Sequence, residues 1–395
     1  MPKNIRLLFV ILAVTFTGSA VSSLATFLSI ESHFQSFVYL SLALALKTGS
    51  AFVLGANMPR IVSHWGPYRA CFLSQLLGLV ALGFLYYGFS QNSIFSVLSG
   101  IVLSGLPMGI IRIVLNSEIR MQIPEEDLFR KVSALKESVM GILFLLTALL
   151  IPFLLLSFDI KQLIIFDGVS YLIAFVLFFR LSVKEKYTPP AQPYKLKAID
   201  LFKRRSVLQY VLYAGPILLL GGALPLLASS NEINFSNQLP DIARHALWAF
   251  EAASILIASI FYIRLRSKIS GSRLKYLLAM NGVFLAFTLW APSHTVVMAS
   301  LFMMALFMFF GLQAAQDDLL LACKDDGELT YRFSSLIGVL RNLGLALSPL
   351  ILGSIFKSFT GQQAVYIILG FQGACLALLF ILISKRKASD VVLAK

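Results

Sequence analysis

Four charged side chains stand inside long apolar segments of this sequence. Lys47 lies about midway along one segment, and Arg112 lies near the end of another. Glu251 and Arg341 each follow about two helical turns into a further segment. A charge at the centre of a bilayer costs ~2.5–3.5 kcal/mol on insertion scales. If these segments cross a membrane, each charge therefore needs a partner, a wet cavity or a bound solute.

The chemistry open to these side chains is ion binding or proton transfer. Lys47 could bind an anionic group or form a structural pair. Glu251 could take up and release a proton, or form a buried ion pair. Arg341 could hold a carboxylate through two hydrogen bonds, or pair with Glu251. Arg112 could form an inner-gate pair with Glu118, or extend its side chain to the membrane surface.

Two further charged pairs lie where apolar segments begin or end. Asp317 and Asp318 close one segment and could cap a helix, meet basic loops or take part in gating. Lys136 and Glu137 open another segment, and we expect them at the membrane interface.

Motifs of enzymes and metal sites are absent from the sequence. It contains no HExxH, no GxSxG and no P-loop of the form GxxxxGK[ST]. The three cysteines are widely separated and suggest neither a disulfide framework nor a metal site. We therefore predict no catalytic residues, no metal and no cofactor. Energy for any movement of solute would come from an ion or substrate gradient, with proton coupling as one option.

Composition indicates a membrane protein. The chain is 58% hydrophobic and 13% charged, whereas soluble domains carry about 25% charged residues. Apolar runs of about 20 residues, the length that crosses a bilayer, recur throughout. The first run, from Arg6 to Ile30, is too long for a signal-peptide core and lacks a cleavage site, so we interpret it as a retained helix.

Twelve transmembrane helices are predicted, and the fold class is therefore an all-α polytopic membrane protein. The spans are 6–30, 36–58, 69–89, 93–117, 133–157, 161–181, 206–229, 243–265, 274–292, 294–318, 333–356 and 361–384. Short connections between them make neighbouring helices antiparallel.

The basic residues indicate topology. Of the 33 Lys and Arg, all but seven fall on the side that holds both termini; Lys161, Arg244 and Lys357 fall on the other side. By the positive-inside rule, both termini are cytoplasmic. The net charge of +14 is thus a topology signal that also favours contact with the anionic lipid bilayer. No basic patch with interleaved aromatic residues predicts nucleic-acid binding.

A long basic connection divides the chain into two halves. Residues 182–205 are polar and contain three prolines, which predicts a cytoplasmic linker between residues 1–181 and residues 206–395. The halves also resemble each other: PEEDLFRKVSALKESV begins at Pro124 and KDDGELTYRFSSLIGV begins at Lys324. Each has acidic residues, a basic residue and then Ser-x-Leu. The repeat predicts two pseudo-symmetric six-helix bundles.

Three stretches resemble one transporter family. GANMPRIVSHWGPYR, between the second and third spans, resembles the family loop G-x-x-x-G-x-x-x-D-R-x-G-R-R. Gly55 and Gly66 fit, Arg69 lies one residue beyond its place, and Ser63 and His64 replace the acid and the first arginine. FDGVSYLIAF and RFSSLIGVLRNLGLALSPLILG resemble the sixth and eleventh helices. The family is the major facilitator superfamily, in its branch of enterobactin-type siderophore exporters and macrolide efflux pumps.

That resemblance implies a function. It implies a monomeric secondary transporter of a bacterial-type inner membrane, working by alternating access, with helices 1, 2, 4, 5, 7, 8, 10 and 11 around a central cavity. Gly55, Gly66 and Arg69 become gating candidates, and Asp167 is expected to pack the sixth helix. The branch favours export of a siderophore-like or drug-like small molecule. The fifth helix keeps only Gly141 and Pro152 of the antiporter pattern.

Three embedded cations favour an anionic or amphiphilic substrate. Lys47, Arg112 and Arg341 are the candidates to bind it, and Glu251 is the candidate for coupling. An importer on the same fold is the alternative prediction. An intramembrane enzyme or a receptor is a third hypothesis, which the lack of catalytic motifs disfavours.

Overall fold

Regular structure in the described residues is entirely α-helical. The structure, a computed structural model, describes residues 3–34, 37–184, 204–221, 241–265, 274–290, 294–323 and 327–358, with residues 367, 370, 371, 373–378 and 381. The first six helices are α1 Lys3–Phe34, α2 Phe37–Trp65, α3 Pro67–Ser90, α4 Ile94–Gln122, α5 Glu126–Ser157 and α6 Ile160–Lys184. The next five are α7 Arg205–Gly221, α8 Asp241–Leu265, α9 Leu274–Trp290, α10 His294–Leu321 and α11 Gly327–Ser358. The described residues between 367 and 381 are helical too.

The helices are long and apolar enough to cross a bilayer. Among the described residues, six stretches meet that standard by length and composition: Asn4–Ile30, Pro67–Ser90, Ile94–Gln122, Glu126–Ile151, Ile160–Val183 and Phe302–Leu321. Large apolar side chains such as Phe95, Phe153 and Leu156 are exposed on them, as a lipid-facing surface requires. The prediction of an all-α multi-pass membrane protein is confirmed.

The predicted loop from Gly55 to Arg69 is largely helix. α2 continues through Pro59 to Trp65, because the stretch is amphipathic: Met58 and Val62 are buried, whereas Arg60 is exposed. The turn itself is the single residue Gly66, whose φ of 83° lies in the left-handed region that glycine tolerates best.

α5 and α11 begin earlier than predicted. α5 starts at Glu126, with acidic residues in its first turn, where they stabilise the positive end of the helix dipole. α11 starts at Gly327. At about 1.5 Å per residue, Lys136 therefore lies roughly 15 Å inside α5 rather than at its end. Lys136 and Glu137 are therefore within α5 and not in its first turn.

Helices of the two halves meet along one interface. In the first half, α3 packs on α4 and α6, α2 packs on α4, and α1 packs on α5 and α6. In the second half, α10 packs on α8 and α9, and α7 packs on α10 and α11. Across the interface, α2 contacts α11, α5 contacts α8, and α4 contacts α11. Residues 185–203, which hold most of the predicted linker, lie outside the described residues, and the domain boundaries stay a prediction.

Candidate functional site

A cavity of about 210 Å³ lies between the two halves. Helices α2, α4 and α5 of the first half and α10 and α11 of the second half line it. The lining residues are Lys47, Thr48, Ala51, Gly105, Met108, Gly109, Arg112, Ile113, Asn116, Glu137, Gln316, Ser334, Ile337, Gly338, Arg341 and Asn342.

Three of the four residues predicted to bind substrate or couple transport face this cavity. Lys47, Arg112 and Arg341 come from three different helices and from both halves, and the structure brings them together. The fourth, Glu251, lies in α8, but its side chain is outside the described part of the chain. Its predicted pairing with Arg341 therefore stays a prediction.

An ion pair that the sequence placed at the membrane interface is buried beside the cavity. Lys136 is 1% exposed, its Nζ lies 2.9 Å from Glu137 Oε1, and it also donates a hydrogen bond to Asn116. Glu137 lines the cavity. The structure buries both side chains inside the protein, at 1% and 12% exposure, and their depth relative to the membrane surface stays a prediction. The carboxylate that faces the cavity is thus already paired with a lysine.

Several polar atoms around the cavity are buried without a hydrogen-bond partner among the described residues. They are Arg112 Nε, Arg341 Nε, Gln316 Nε2 and Ser334 Oγ. Three of the four are donors only. Buried polar groups in proteins are nearly always hydrogen-bonded. A solute that offers acceptor oxygens would satisfy them.

Sequence reasoning missed the neutral polar residues of the cavity. Asn116 follows Arg112 by four positions, and Ser334, Gly338 and Arg341 are spaced by four and three. Such spacing puts side chains on one helix face. This periodicity around the embedded charges was the signal that could have identified them.

Small residues bring α2 and α4 close together at the cavity. A methyl group added to Gly105 would meet the carbonyl oxygen of Lys47, and one added to Gly109 would lie 3.2 Å from Ala51 Cβ. Glycines spaced by four allow close helix approach in membranes. The backbone of Lys47 therefore lies level with Gly105.

Lys47 reaches from the cavity toward α1. Its Nζ donates a hydrogen bond to Ser23 and lies 5.5 Å from the centre of the Phe27 ring. Asp167 of α6 is buried nearby and accepts hydrogen bonds from Ser22 and Ser170. These contacts join α6 to α1, which is the packing role that the family resemblance implied for Asp167.

Glu118 links the two halves at one end of the interface. We call this end the basic side; it lies near residues 65–67, 122–126, 321–323 and 327. Glu118 accepts hydrogen bonds from Tyr68 at 2.9 Å, from Gln122 at 2.7 Å and from Tyr331 of α11 at 2.9 Å. Arg112 faces the cavity, so in this structure Glu118 is engaged by these three donors and Arg112 is not among them.

Asp317 and Asp318 form a second link on the basic side. Arg130 of α5 lies 2.7 Å from Asp318 and donates to the hydroxyl of Tyr262 at 3.2 Å. Tyr262 donates in turn to Asp317 at 2.9 Å, and Ser133 of α5 donates to it at 2.8 Å. The sequence marked the two aspartates as gating candidates but did not identify Arg130 or Tyr262 as their partners.

The remaining gating candidates divide between the interface and the surface. Gly55 lies in α2, where its carbonyl oxygen accepts a hydrogen bond from Ser335 of α11. A methyl group there would lie 3.0 Å from Val339 Cγ2, so the helices touch at this glycine. Gly66 forms the turn, and Arg69 is exposed. Of the three, Gly55 belongs to the contact between the halves.

Comparison with known proteins identifies similar sequences and folds. The sequence model of the Major Facilitator Superfamily matches residues 6–320. No curated protein matches the chain. A bacterial homologue of the iron transporter ferroportin, in its outward-facing state, is similar with a TM-score of 0.70 and 13% identity, covering 97% of this chain and 100% of that chain. The human organic anion transporter MFSD10 is similar with a TM-score of 0.71 and 12% sequence identity, and the match covers 96% of this chain and 100% of that chain. The E. coli fucose:proton symporter FucP is similar with a TM-score of 0.65 and 15% sequence identity, and the match covers 96% of this chain and 98% of that chain. At these identities the similarity concerns the fold.

Proposed function

The chain belongs to the Major Facilitator Superfamily, and we propose that it exports a small anionic or amphiphilic compound by alternating access. It is a transporter and not an enzyme. The single observation that carries the anionic part of the proposal is the placement of Lys47, Arg112 and Arg341 around one cavity between the halves. Three cations there favour a solute of opposite charge.

The contacts on the basic side support alternating access. Glu118, Asp317 and Asp318 each accept hydrogen bonds or form ion pairs across the interface. In alternating access, one central site opens to each side in turn as two bundles rock. We propose that these residues close the basic side and release it when the bundles rock. Their links are hydrogen bonds and one ion pair, which can break and re-form.

Export and the membrane orientation are parts of the same proposal. Export is supported by the resemblance of three sequence stretches to siderophore exporters and macrolide efflux pumps. The excess of Lys and Arg supports a cytoplasmic basic side in a bacterial-type inner membrane. We further propose a monomer of two six-helix bundles, residues 1–181 and 206–395, joined by a linker at residues 182–205. An organic anion transporter among the proteins of similar fold agrees with an anionic substrate.

A vesicle assay tests the anion site. Lys47→Ala and Arg341→Ala are expected to reduce uptake of an anionic substrate by at least about tenfold, because each removes a charged hydrogen-bond donor. The substrate is found first by profiling metabolites in the cytosol and the medium of cells with and without the protein. Accumulation inside deleted cells indicates export, and accumulation in the medium indicates import. Equal transport by wild type and both variants would rule out the anion site.

A further inference from the structure

The three cations of the cavity lie at two levels along the membrane normal. Lys47 is level with Gly105 of α4, and Arg112 follows seven residues later, which places it roughly 10 Å further along the helix axis. Arg341 belongs to about the same level as Arg112, because a methyl group added to Gly338 of α11 would lie 3.3 Å from the side chain of Ile113 in α4. The two arginines also act electrostatically on each other. The cavity therefore has an arginine end and a lysine end.

The arginine end is shared between the two halves. Arg112 belongs to α4 and Arg341 to α11, and each has a buried Nε without a partner in the described part of the chain. Two buried neighbours on the cavity wall, Gln316 at 7% exposure and Ser334 at 0%, have unpartnered polar atoms as well. A carboxylate or phosphate offers several acceptor oxygens to such donors. It would add to the negative charge of Glu137, which acts on both guanidinium groups, and would so reduce the repulsion between them.

The lysine end has donors to spare. A lysine ammonium has three donors, and among the described residues Lys47 donates one hydrogen bond, to Ser23. Asp167 acts electrostatically on Lys47 from α6, but its carboxylate is engaged with the hydroxyls of Ser22 and Ser170. Among the described lining residues the one carboxylate is Glu137, which Lys136 already pairs. The lysine end can therefore hold a second anionic group.

We propose that the cavity binds a small organic dianion end to end, one anionic group between Arg112 and Arg341 and the other at Lys47. The proposal rests on the proposed function and narrows its substrate class. The cavity volume supports a small substrate, because about 210 Å³ is below the ~300–1,000 Å³ of pockets for drug-sized ligands. Because its arginine end joins helices of both halves, the dianion would draw the bundles together as it binds.

Binding of matched acids to the purified full-length protein tests this proposal. Thermal-shift titrations compare succinate, glutarate and adipate with butyrate, pentanoate and hexanoate, which have the same chain lengths and one carboxylate fewer. At least one dicarboxylate is expected to bind about tenfold or more tightly than its matched monocarboxylate. Transport of the same acids into proteoliposomes is expected to follow the same order.

Substitutions at Lys47 and Arg341 test which residues bind each carboxylate of the dianion. Lys47→Gln and Arg341→Gln are each expected to bring dicarboxylate affinity down to the monocarboxylate level. Lys131→Gln, at an exposed lysine outside the cavity, is the control and should leave the preference unchanged. Arg341→Lys keeps the charge and serves as a second variant if Arg341→Gln does not fold.

The outcomes separate this proposal from the proposed function. If monocarboxylates and dicarboxylates bind and move equally well, the dianion proposal is overturned while anion transport stands. If dicarboxylates are preferred but Lys47→Gln keeps the preference, the assignment of the second end is overturned. If no acid binds or moves, the dianion proposal is overturned, and the proposed function is decided separately by the vesicle assay with the substrate found by metabolite profiling.

Discussion

Asp317 and Asp318 are neighbours in α10, yet they do different work at the interface. Asp318 faces a charge, the guanidinium of Arg130 at 2.7 Å. Asp317 is fully buried and receives three neutral donors, from Ser133, Tyr262 and Gln313. An ion pair can re-form when its two charges are exchanged. The three neutral donors around Asp317 have no replacement acceptor when its carboxylate is lost. The two aspartates are therefore expected to respond differently to substitution.

A charge swap tests the pair. Arg130→Asp alone should destabilise the closed basic side, because removing one partner of a largely buried ion pair leaves the other uncompensated. The double variant Arg130→Asp with Asp318→Arg should recover part of the loss. The measurement is the thermal midpoint of purified protein together with initial transport rate. Lack of any recovery in the double variant would argue against a direct pair.

Asp317→Asn is expected to be the more damaging of the two asparagine variants. The amide nitrogen of the new side chain is a donor, and it would face Ser133, Tyr262 and Gln313, which already donate to this position. An unsatisfied buried donor costs about 1–3 kcal/mol. Asp318→Asn keeps an acceptor for Arg130 at a position that is partly exposed. Thermal midpoints of the two variants provide the comparison, and an equal loss would contradict it.

Helices of this chain meet through glycines whose surroundings differ. Gly105 of α4 presses against the backbone of α2, so a side chain there has no space. Gly83 of α3 has open space around the same position. The residue type is identical, and the environment on the helix decides its role. The contact at Gly105 also sets the level of Lys47 relative to Arg112.

Paired alanine substitutions separate these roles. Gly105→Ala should destabilise the protein by about 1–3 kcal/mol, because the backbone of α2 must move away. Gly83→Ala should be neutral or stabilise by about 0.5–1 kcal/mol, since alanine is the better helix former. Thermal unfolding of both variants in one detergent measures the difference. A similar effect at the two sites would show that the α2–α4 contact is looser than described.

The sequence predicted features that a short local stretch encodes, and it missed contacts between residues that are far apart in the chain. The sequence singled out Lys47 and Arg341, which both line the cavity, because a charge within an apolar run is visible locally. The burial of Lys136 and Glu137 was not predicted, because it depends on packing against other helices and not on the local sequence. The partnership of Arg130 with Tyr262 joins residues far apart in the chain, and no local pattern encodes it. Helices and embedded charges were thus predictable, whereas their pairing across the interface was not.

At the scale of the whole molecule, the two halves are held together on the basic side by side chains that reach across the interface. Glu118 joins α4 to α11, Arg130 joins α5 to α8 and α10, and Ser335 joins α11 to α2. Arg120 adds a hydrogen bond to the carbonyl oxygen of Leu320 at 3.3 Å. If the proposed transport cycle is right, this whole set must separate in every turnover.

Cross-linking tests whether it separates. Gln313 of α10 donates to Ser133 of α5 at 2.7 Å, so Ser133→Cys with Gln313→Cys places two thiols on opposite halves. In a background without the native cysteines, a short bifunctional thiol reagent should stop transport, and a cleavable reagent should let reduction restore it. Each single-cysteine variant, treated identically, is the control. Full transport by the cross-linked protein would show that the basic side stays closed throughout.

Residues from both halves of the chain line the cavity, and this has a genetic consequence. Lys47 and Arg112 are encoded in the first half of the gene and Arg341 in the second, so neither half alone encodes all three cations. A gene truncated at the predicted linker, residues 182–205, would not encode Arg341. When the two halves are expressed as separate polypeptides, a mutation that removes one of these charges should be complemented by a wild-type copy of the same half and not by a copy of the other half.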